Sequence, residues 1–277
     1  MSERLPARMR ALATELTALR EKAGLTTRQA AARLGTSIAT LNRIENAKRM
    51  AGVANVSALL AIYGVTGPER KRIMEMVEEV NAPGWLGVPL TRGRPALANF
   101  EEEASSILNF APSTLPGLLQ TPAYVQAITA TSEFPQPRHD ALVAARLARQ
   151  QVLAKLLAPD YLAILDEATL RRAYGGSAAM VEQIHWLIEL AKRPNITIHV
   201  IPFRHGGYRN PGYFSLLQFP RSSPIVYTEL DRTAGFHDDP ADIESFRGVA
   251  ATLVKVALGS TDSVNFMARM AADHERG

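Results

Sequence analysis

The sequence predicts an α+β protein in which an all-α, five-helix domain is followed by a larger α+β domain. Three observations carry that expectation. The chain has 277 residues, the length of about two domains. Residues 5–80 hold apolar positions only at helical spacing. The rest mixes such stripes with short runs rich in Ile, Val, Tyr and Phe. The expected boundaries are 1–81 for the first domain, 82–98 for a linker and 99–277 for the second domain.

In the first domain, Leu5, Met9, Leu12, Leu16 and Leu19 recur at spacings of four and three, one apolar stripe on a first helix that Gly24 ends. A second helix runs from Thr27 to Leu34 and stops at Gly35; Ser37 caps a third that reaches about Glu45. A fourth covers Val53 to Tyr63. The fifth opens at Thr66-Gly67-Pro68, with proline suited to a first turn, and buries Ile73, Met76, Val77 and Val80. Asn81 to Pro95 is rich in Pro and Gly and reads as the connection, with Trp85 as an anchor. Beyond it, helices are expected at 99–109, 121–130, 138–157, 177–192, 241–257 and 261–273, and strands at Tyr161–Leu165, Ile196–Ile201, Tyr213–Phe219 and Pro224–Leu230.

Composition narrows the function classes. With 47% hydrophobic and 21% charged residues the chain is an ordinary globular one. It has no cysteine, which excludes disulfides, thiol catalysis and cysteine-based metal sites. The first six residues lack the apolar core of a secretory signal. Residues 104–132 carry no charge, but Pro112, Pro116 and Pro122 with Asn109, Gln120 and Gln126 break them as a membrane span. The expectation is a cytoplasmic protein without membrane contact, associated with the nucleoid when bound to DNA. Charge is unevenly divided: residues 1–67 hold ten Lys/Arg against four acids, net +6, whereas the remaining 210 carry 21 basic and 23 acidic groups, net −2. A basic end on a near-neutral body points to a polyanionic partner at that end.

The segment Gly24 to Asn46 is the most informative. Ala30, Ala31 and Ala32 permit close approach of a neighbouring helix, and Gly35 suits the left-handed backbone of a sharp turn. Leu34, Leu41 and Ile44 face inward, leaving Ser37, Ile38, Ala39, Asn42 and Arg43 outward. This is helix-turn-helix architecture, whose second helix lies in the major groove of double-stranded DNA. Residues 9–65, with Arg43-Ile44-Glu45-Asn46 closing the recognition helix, closely resemble the Xre/phage-repressor family. The resemblance implies base-edge contacts from Ile38, Ala39, Asn42 and Arg43. Asn can bond adenine and Arg guanine bidentately, while Ile and Ala suit a thymine methyl. It implies phosphate contacts from Thr27, Ser37, Asn46, Lys48 and Arg49, and Gln29 joins the DNA-binding set. Thr27 and Ser37 read equally as helix caps. Arg20 and Glu45 match positions that pair inside such domains. Ala47 departs from the family's frequent glycine.

In the second domain, Pro116 to Tyr124, Arg149-Gln150, Leu165 to Arg172, Ile198 to Pro202 and Gly212 to Ser215 together resemble the C-terminal domain of unknown function found behind Xre-type domains in actinomycete regulators labelled antitoxin-like. The resemblance implies a small companion protein encoded nearby as a partner, and in some members effects on development or antibiotic production. From the residues themselves, Gln120, Tyr124, Arg149, Gln150, Glu167 and Arg171 either line a polar effector pocket or satisfy one another, with Arg149 paired to Glu167.

Catalysis finds little support. His205-Gly206-Gly207 follows a strand as in some esterases, yet no Gly-x-Ser-x-Gly supplies a nucleophile, and phosphate- and dinucleotide-binding glycine motifs are absent. The six histidines lack helical metal-ligand spacing, and His237-Asp238-Asp239 reads as a solvated loop before Pro240 rather than a metal site. No cofactor or metal is expected. The sequence therefore predicts a homodimeric, sequence-specific transcriptional regulator whose C-terminal domain dimerises and senses a small effector or companion. The alternative is an antitoxin-like protein that sequesters its companion and binds DNA for autoregulation.

Overall fold

The computed structural model describes residues 7–79, 86–131, 136–230 and 233–276. The first part is five helices: α1 (Ala7–Lys22), α2 (Thr27–Leu34), α3 (Ile38–Glu45), α4 (Val53–Ile62) and α5 (Gly67–Glu79). Met9, Leu12, Leu16 and Leu19 bury the stripe of α1, while Leu5 lies outside the described residues, as does Val80 at the end of α5. The apolar faces of all five helices close one core around Leu16, Leu41, Val56, Leu59, Leu60 and Ile73. Ala30 and Ala31 are sealed in it at 0% and 1% exposure, whereas Ala32 is exposed and plays no part in the close approach.

The second part is built on a seven-stranded sheet in the order β1-β7-β6-β5-β2-β3-β4. Its strands are β1 (Leu86–Pro89), β2 (Ser106–Ala111), β3 (Asp160–Asp166), β4 (Ile196–Ile201), β5 (Phe214–Gln218), β6 (Ile225–Glu229) and β7 (Thr233–His237). β2, β3 and β4 run parallel, and the other pairings are antiparallel. The helices are α6 (Leu90–Glu103), α7 (Pro122–Ala130), α8 (Gln136–Arg149), α9 (Ala168–Arg171), α10 (Ser177–Leu190), α11 (Pro240–Val256) and α12 (Ser260–Arg276). Strand alternation splits the core into two layers. Ile107, Ala163, Ile198, Leu217 and Phe236 face a layer shared with α6, α10 and α12. Phe110, Ile164, Phe214 and Val226 face the layer covered by Ile243, Val249 and Leu253 of α11.

Several stretches depart from the sequence expectation, among them α9 and β7, which it did not include. Residues 86–98, expected as linker, form β1 and most of α6, and β1 pairs with β7, so they belong to the second part. Trp85 lies outside the described residues. Residues 106–109, expected at the end of a helix, belong to the interior strand β2, which is covered on both faces and so lacks polar alternation. α8 ends at Arg149 and is followed by a 3₁₀ turn over Gln150–Ala154, so the helix expected to 157 stops short and residues 155–157 are not helical.

The contrast between adjacent alanines of α2 gives a direct check. Ala30→Leu forces extra methylenes into a filled space and should cost about 1–3 kcal/mol. Ala32→Leu, on solvent, should change stability by less than about 0.5 kcal/mol. Urea unfolding monitored by circular dichroism measures both; equal losses would contradict this packing.

Candidate nucleic-acid interface

The α2–turn–α3 unit is held at every corner by local bonds. Thr26, not Thr27, caps α2: its Oγ1 accepts the Gln29 N–H at 3.3 Å, and Gln29 Oε1 accepts the Thr26 N–H at 2.9 Å. Thr27 is the first residue inside the helix and half-buried, so the capping role expected of it falls one position earlier. The carbonyl of Gln29 is engaged in the cap, which leaves its exposed amide nitrogen to donate. Gly35 turns the chain at φ +72°. Ser37 caps α3, its Oγ accepting the Thr40 N–H at 3.1 Å.

α3 then presents two distinct faces. Leu41 and Ile44 are buried, while Ser37, Ile38, Ala39, Asn42 and Arg43 are exposed on the other side. Asn46 closes the helix and donates its Nδ2 to the Asn42 carbonyl at 2.7 Å, so that amide serves the helix end. At Ala47 the backbone enters the left-handed region, φ +53°, in a turn where the N–H groups of Lys48 and Arg49 both reach the Arg43 carbonyl. This is the physical reason a glycine suits that position. The Ala47 methyl is nonetheless buried, in a small cluster with Met9 and Ala13 of α1.

Arg20 crosses from α1 and donates from Nε to Glu45 Oε1 at 2.7 Å and from Nη1 to the Leu25 carbonyl at 2.8 Å. Glu45 is only 6% exposed and is thereby withdrawn from the surface that carries Asn42 and Arg43. The bond from Glu45 holds the Arg20 guanidinium above its ordinary pKa, and burial pushes the Tyr63 hydroxyl beside this pair upward.

The same sorting of charge extends over the domain. Among the described side chains of residues 9–77, every acid (Glu15, Glu21, Glu45, Glu69 and Glu75) is paired with Arg20, Lys71 or Arg72, all on α1 or α5, and only Glu45 belongs to α2 or α3. Arg28, Arg33, Arg43, Lys48 and Arg49 are exposed and make no ion pair among the described residues. Arg28 and Arg33 did not emerge from the sequence as site residues; their place on the exposed side of the amphipathic α2 was the available signal.

The six polar residues of the second part do not form one site. Four of them meet around the turn that includes residues 115–121. Gln120 Nε2 donates to the Leu115 carbonyl at 2.7 Å, and its Oε1 accepts from Arg146 at 2.9 Å. Gln150 Nε2 donates to the carbonyls of Gly117 and Gln120 at 3.0 and 2.7 Å, and the Tyr124 hydroxyl accepts the Leu115 N–H at 3.2 Å. The fourth, Arg149, pairs with Glu101 of α6 rather than Glu167: Nη2 donates to Oε1 at 3.2 Å, and Nε lies 2.7 Å from Oε2, off the line of its N–H. Glu167 accepts instead from Arg171 one helical turn on and from the Phe203 N–H at 2.7 Å. A groove of about 360 Å³ beside α11, lined by Arg209, Glu244, Ser245 and Thr252, includes none of these six residues.

Burial pushes the Glu101 carboxyl up to about 7 although Arg149 pulls it down. Asn109 bridges the hydroxyls of Tyr161 and Ser215 on the same side of the sheet. No group of three metal-ligating side chains occurs among the described residues. His237 contacts Thr228 and Asp242, and Asp239 caps α11.

With this geometry in place, the comparisons with known proteins can be assigned to parts of the fold. A model described as a helix-turn-helix domain matches residues 11–73, the five-helix part. A model described as a domain of unknown function (DUF5753) matches residues 94–269, more than half of the chain. The chain belongs to the DUF5753 family. No curated protein and no solved structure matches it. The DUF5753 match begins inside α6 and ends inside α12, so it spans the sheet from β2 to β7. Ahead of it stands a helix-turn-helix domain, a fold whose second helix characteristically enters the DNA major groove, which points to DNA as the partner. No helix among the described residues is long and apolar enough to cross a membrane.

Two checks follow. Ala47→Gly relieves about 1 kcal/mol of left-handed strain but loses a buried methyl of about 0.8 kcal/mol, so stability should shift by less than about 1 kcal/mol. Ala47→Val, β-branched at positive φ, should cost about 2 kcal/mol or more; denaturant midpoints measure both. For the buried pair, the folded pKa of Glu101 lies above its unfolded 4.5, so its contribution is full below 4.5 and is lost as pH rises through about 7. Arg149→Met removes the counter-charge and should cost about 3–5 kcal/mol at pH 8, less at pH 5 where Glu101 takes up a proton. Glu101→Gln should flatten the pH profile, and an unchanged profile would disprove the assignment.

Proposed function

We propose that this DUF5753 protein is a sequence-specific transcriptional regulator of the Xre type, acting as a homodimer in the cytoplasm on double-stranded DNA. The observation that supports this reading is the exposed face of α3, where Ile38, Ala39, Asn42 and Arg43 stand together while the acid of the same helix, Glu45, is turned inward to Arg20. An α-helix of this length is about 12 Å long and fits the major groove. Asn42 and Arg43 supply the bidentate groups for adenine and guanine, and Ile38 and Ala39 the apolar contact for thymine. Thr27, Gln29, Ser37, Asn46, Lys48 and Arg49 flank that face, and we assign them to phosphates, joined by Arg28 and Arg33.

One eight-residue helix reads too few base pairs to single out an operator, which favours two copies with their recognition helices about 34 Å apart. We assign dimerisation and the sensing of an effector or companion protein to the sheet domain. Leu156 and Leu157, adjacent and 100% and 90% exposed, are the most exposed large apolar side chains among the described residues of that domain. The residues around Gln120 bind one another, and an effector there would have to displace those bonds.

Footprinting on the DNA flanking the protein's own gene tests the reading. The expected result is a short protected palindrome that an Asn42→Ala/Arg43→Ala variant loses. Arg43→Ala alone should cost about 1–3 kcal/mol at that site and much less on random DNA. Lys48→Ala should weaken all sequences alike and lower the salt slope by about one. Absence of protection by the folded protein would refute specific DNA reading.

A further inference from the structure

Arg10 lies on α1, yet its side chain is buried against the sheet domain. Its guanidinium carbon stands 4.2 Å from the centre of the Phe219 ring and 4.8 Å from that of Phe100, and Nη2 lies 2.5 Å from Glu103 Oε2. Only 9% of the side chain reaches solvent. A cation placed between two rings and a carboxylate is directional: the planar guanidinium stacks and donates at once, which an ammonium cannot reproduce.

Both ends of this contact are fixed. On the sheet side, Phe100 and Glu103 belong to the last turn of α6, and Glu101 in that turn is tied to the buried Arg149. Phe100 also packs edge-on against Phe236 of β7 at 5.4 Å. On the DNA side, α1 is joined to α3 twice, through Arg20 to Glu45 and through Met9 and Ala13 to Ala47 in the turn that carries Lys48 and Arg49. The path from α6 to the end of the recognition helix therefore runs through helices and through contacts that are buried except at Glu103, whose side chain is exposed.

We propose that Arg10 is a positioning residue for DNA reading: by clamping α1 between Phe100, Phe219 and Glu103 it fixes the direction in which the sheet domain presents α3. This rests on α3 being the DNA-reading helix. The contact leaves the exposed face of α3 open, so it sets orientation rather than blocking the interface.

The absence of native cysteine makes the test direct, because spin labels can be placed at Lys22→Cys and Lys255→Cys, both exposed, on the full chain. The expected result is one narrow distance distribution, which Arg10→Ala makes at least about twofold broader while the helical signal is kept. Arg10→Lys should stay broadened because it keeps charge without the planar fork. Phe219→Leu and Glu103→Gln break the clamp from the other side and decide the matter if Arg10→Ala disturbs α1. Binding to random duplex, a property of the phosphate-facing side chains, should change less than about twofold in all four variants. Distributions that remain narrow in Arg10→Ala and Phe219→Leu overturn the proposal. A wild-type protein that binds no duplex would instead overturn the DNA reading, with the distances still reporting on the clamp.

Discussion

Arg10 and Arg20 sit ten residues apart on one helix, and both are withdrawn from water, at 8% and 9% exposure. Burying a guanidinium is costly unless each face and each N–H finds a partner. Arg20 meets that condition inside its own domain, with a carboxylate and a carbonyl. Arg10 finds its partners only across the boundary, two aromatic faces and Glu103, and its buried Nη1 is left without a hydrogen bond. The position of α1 is thus dictated twice over, and the placement of α3 follows from it. What α3 can offer to solvent is decided by that constraint before any side chain on its outer face is considered.

The same economy of charge shapes the electrostatics of the surface. A net charge of +6 over residues 1–67 says little until the acids are located. Within that range Glu15 pairs with Arg72 of α5, and Glu21 and Glu45 pair with Arg20, so the basic groups around α3 face solvent with no ion-pair partner among the described residues. Field strength near a surface depends on this arrangement far more than on the sum.

The sequence was most legible where local chemistry decides structure. The limits of α2 and α3 follow from Thr26, Gly35 and Ser37, and Ile196–Ile201 reads as a strand because β-branched residues dominate it. Legibility failed where a distant partner decides. β2 is a strand because β3 and β5 flank it, although its own residues include Ser106 and Asn109. β7, Thr-Ala-Gly-Phe-His, has no strand signature and is defined by β1 and β6. Gly93 and Pro95 marked residues 82–98 as a connection, yet α6 runs through both. On the outer face of α3 the exposed positions followed from periodicity, while Arg10 carried no local sign of its contact with the sheet domain.

Among the polar residues of the sheet domain the deciding factor was again long-range. Glu167 and Arg171 are one helical turn apart, a spacing at which such pairs form locally, and they do pair. Arg149 therefore had to find its counter-charge elsewhere, and Glu101, 48 positions earlier, supplies it from α6. A buried charge with one partner makes that partner's helix part of its environment. The last turn of α6 is in this way held from inside by Arg149 while it holds Arg10 from outside. A movement of the buried pair therefore reaches the Arg10 contact through that turn, because Phe100, Glu101 and Glu103 lie within it.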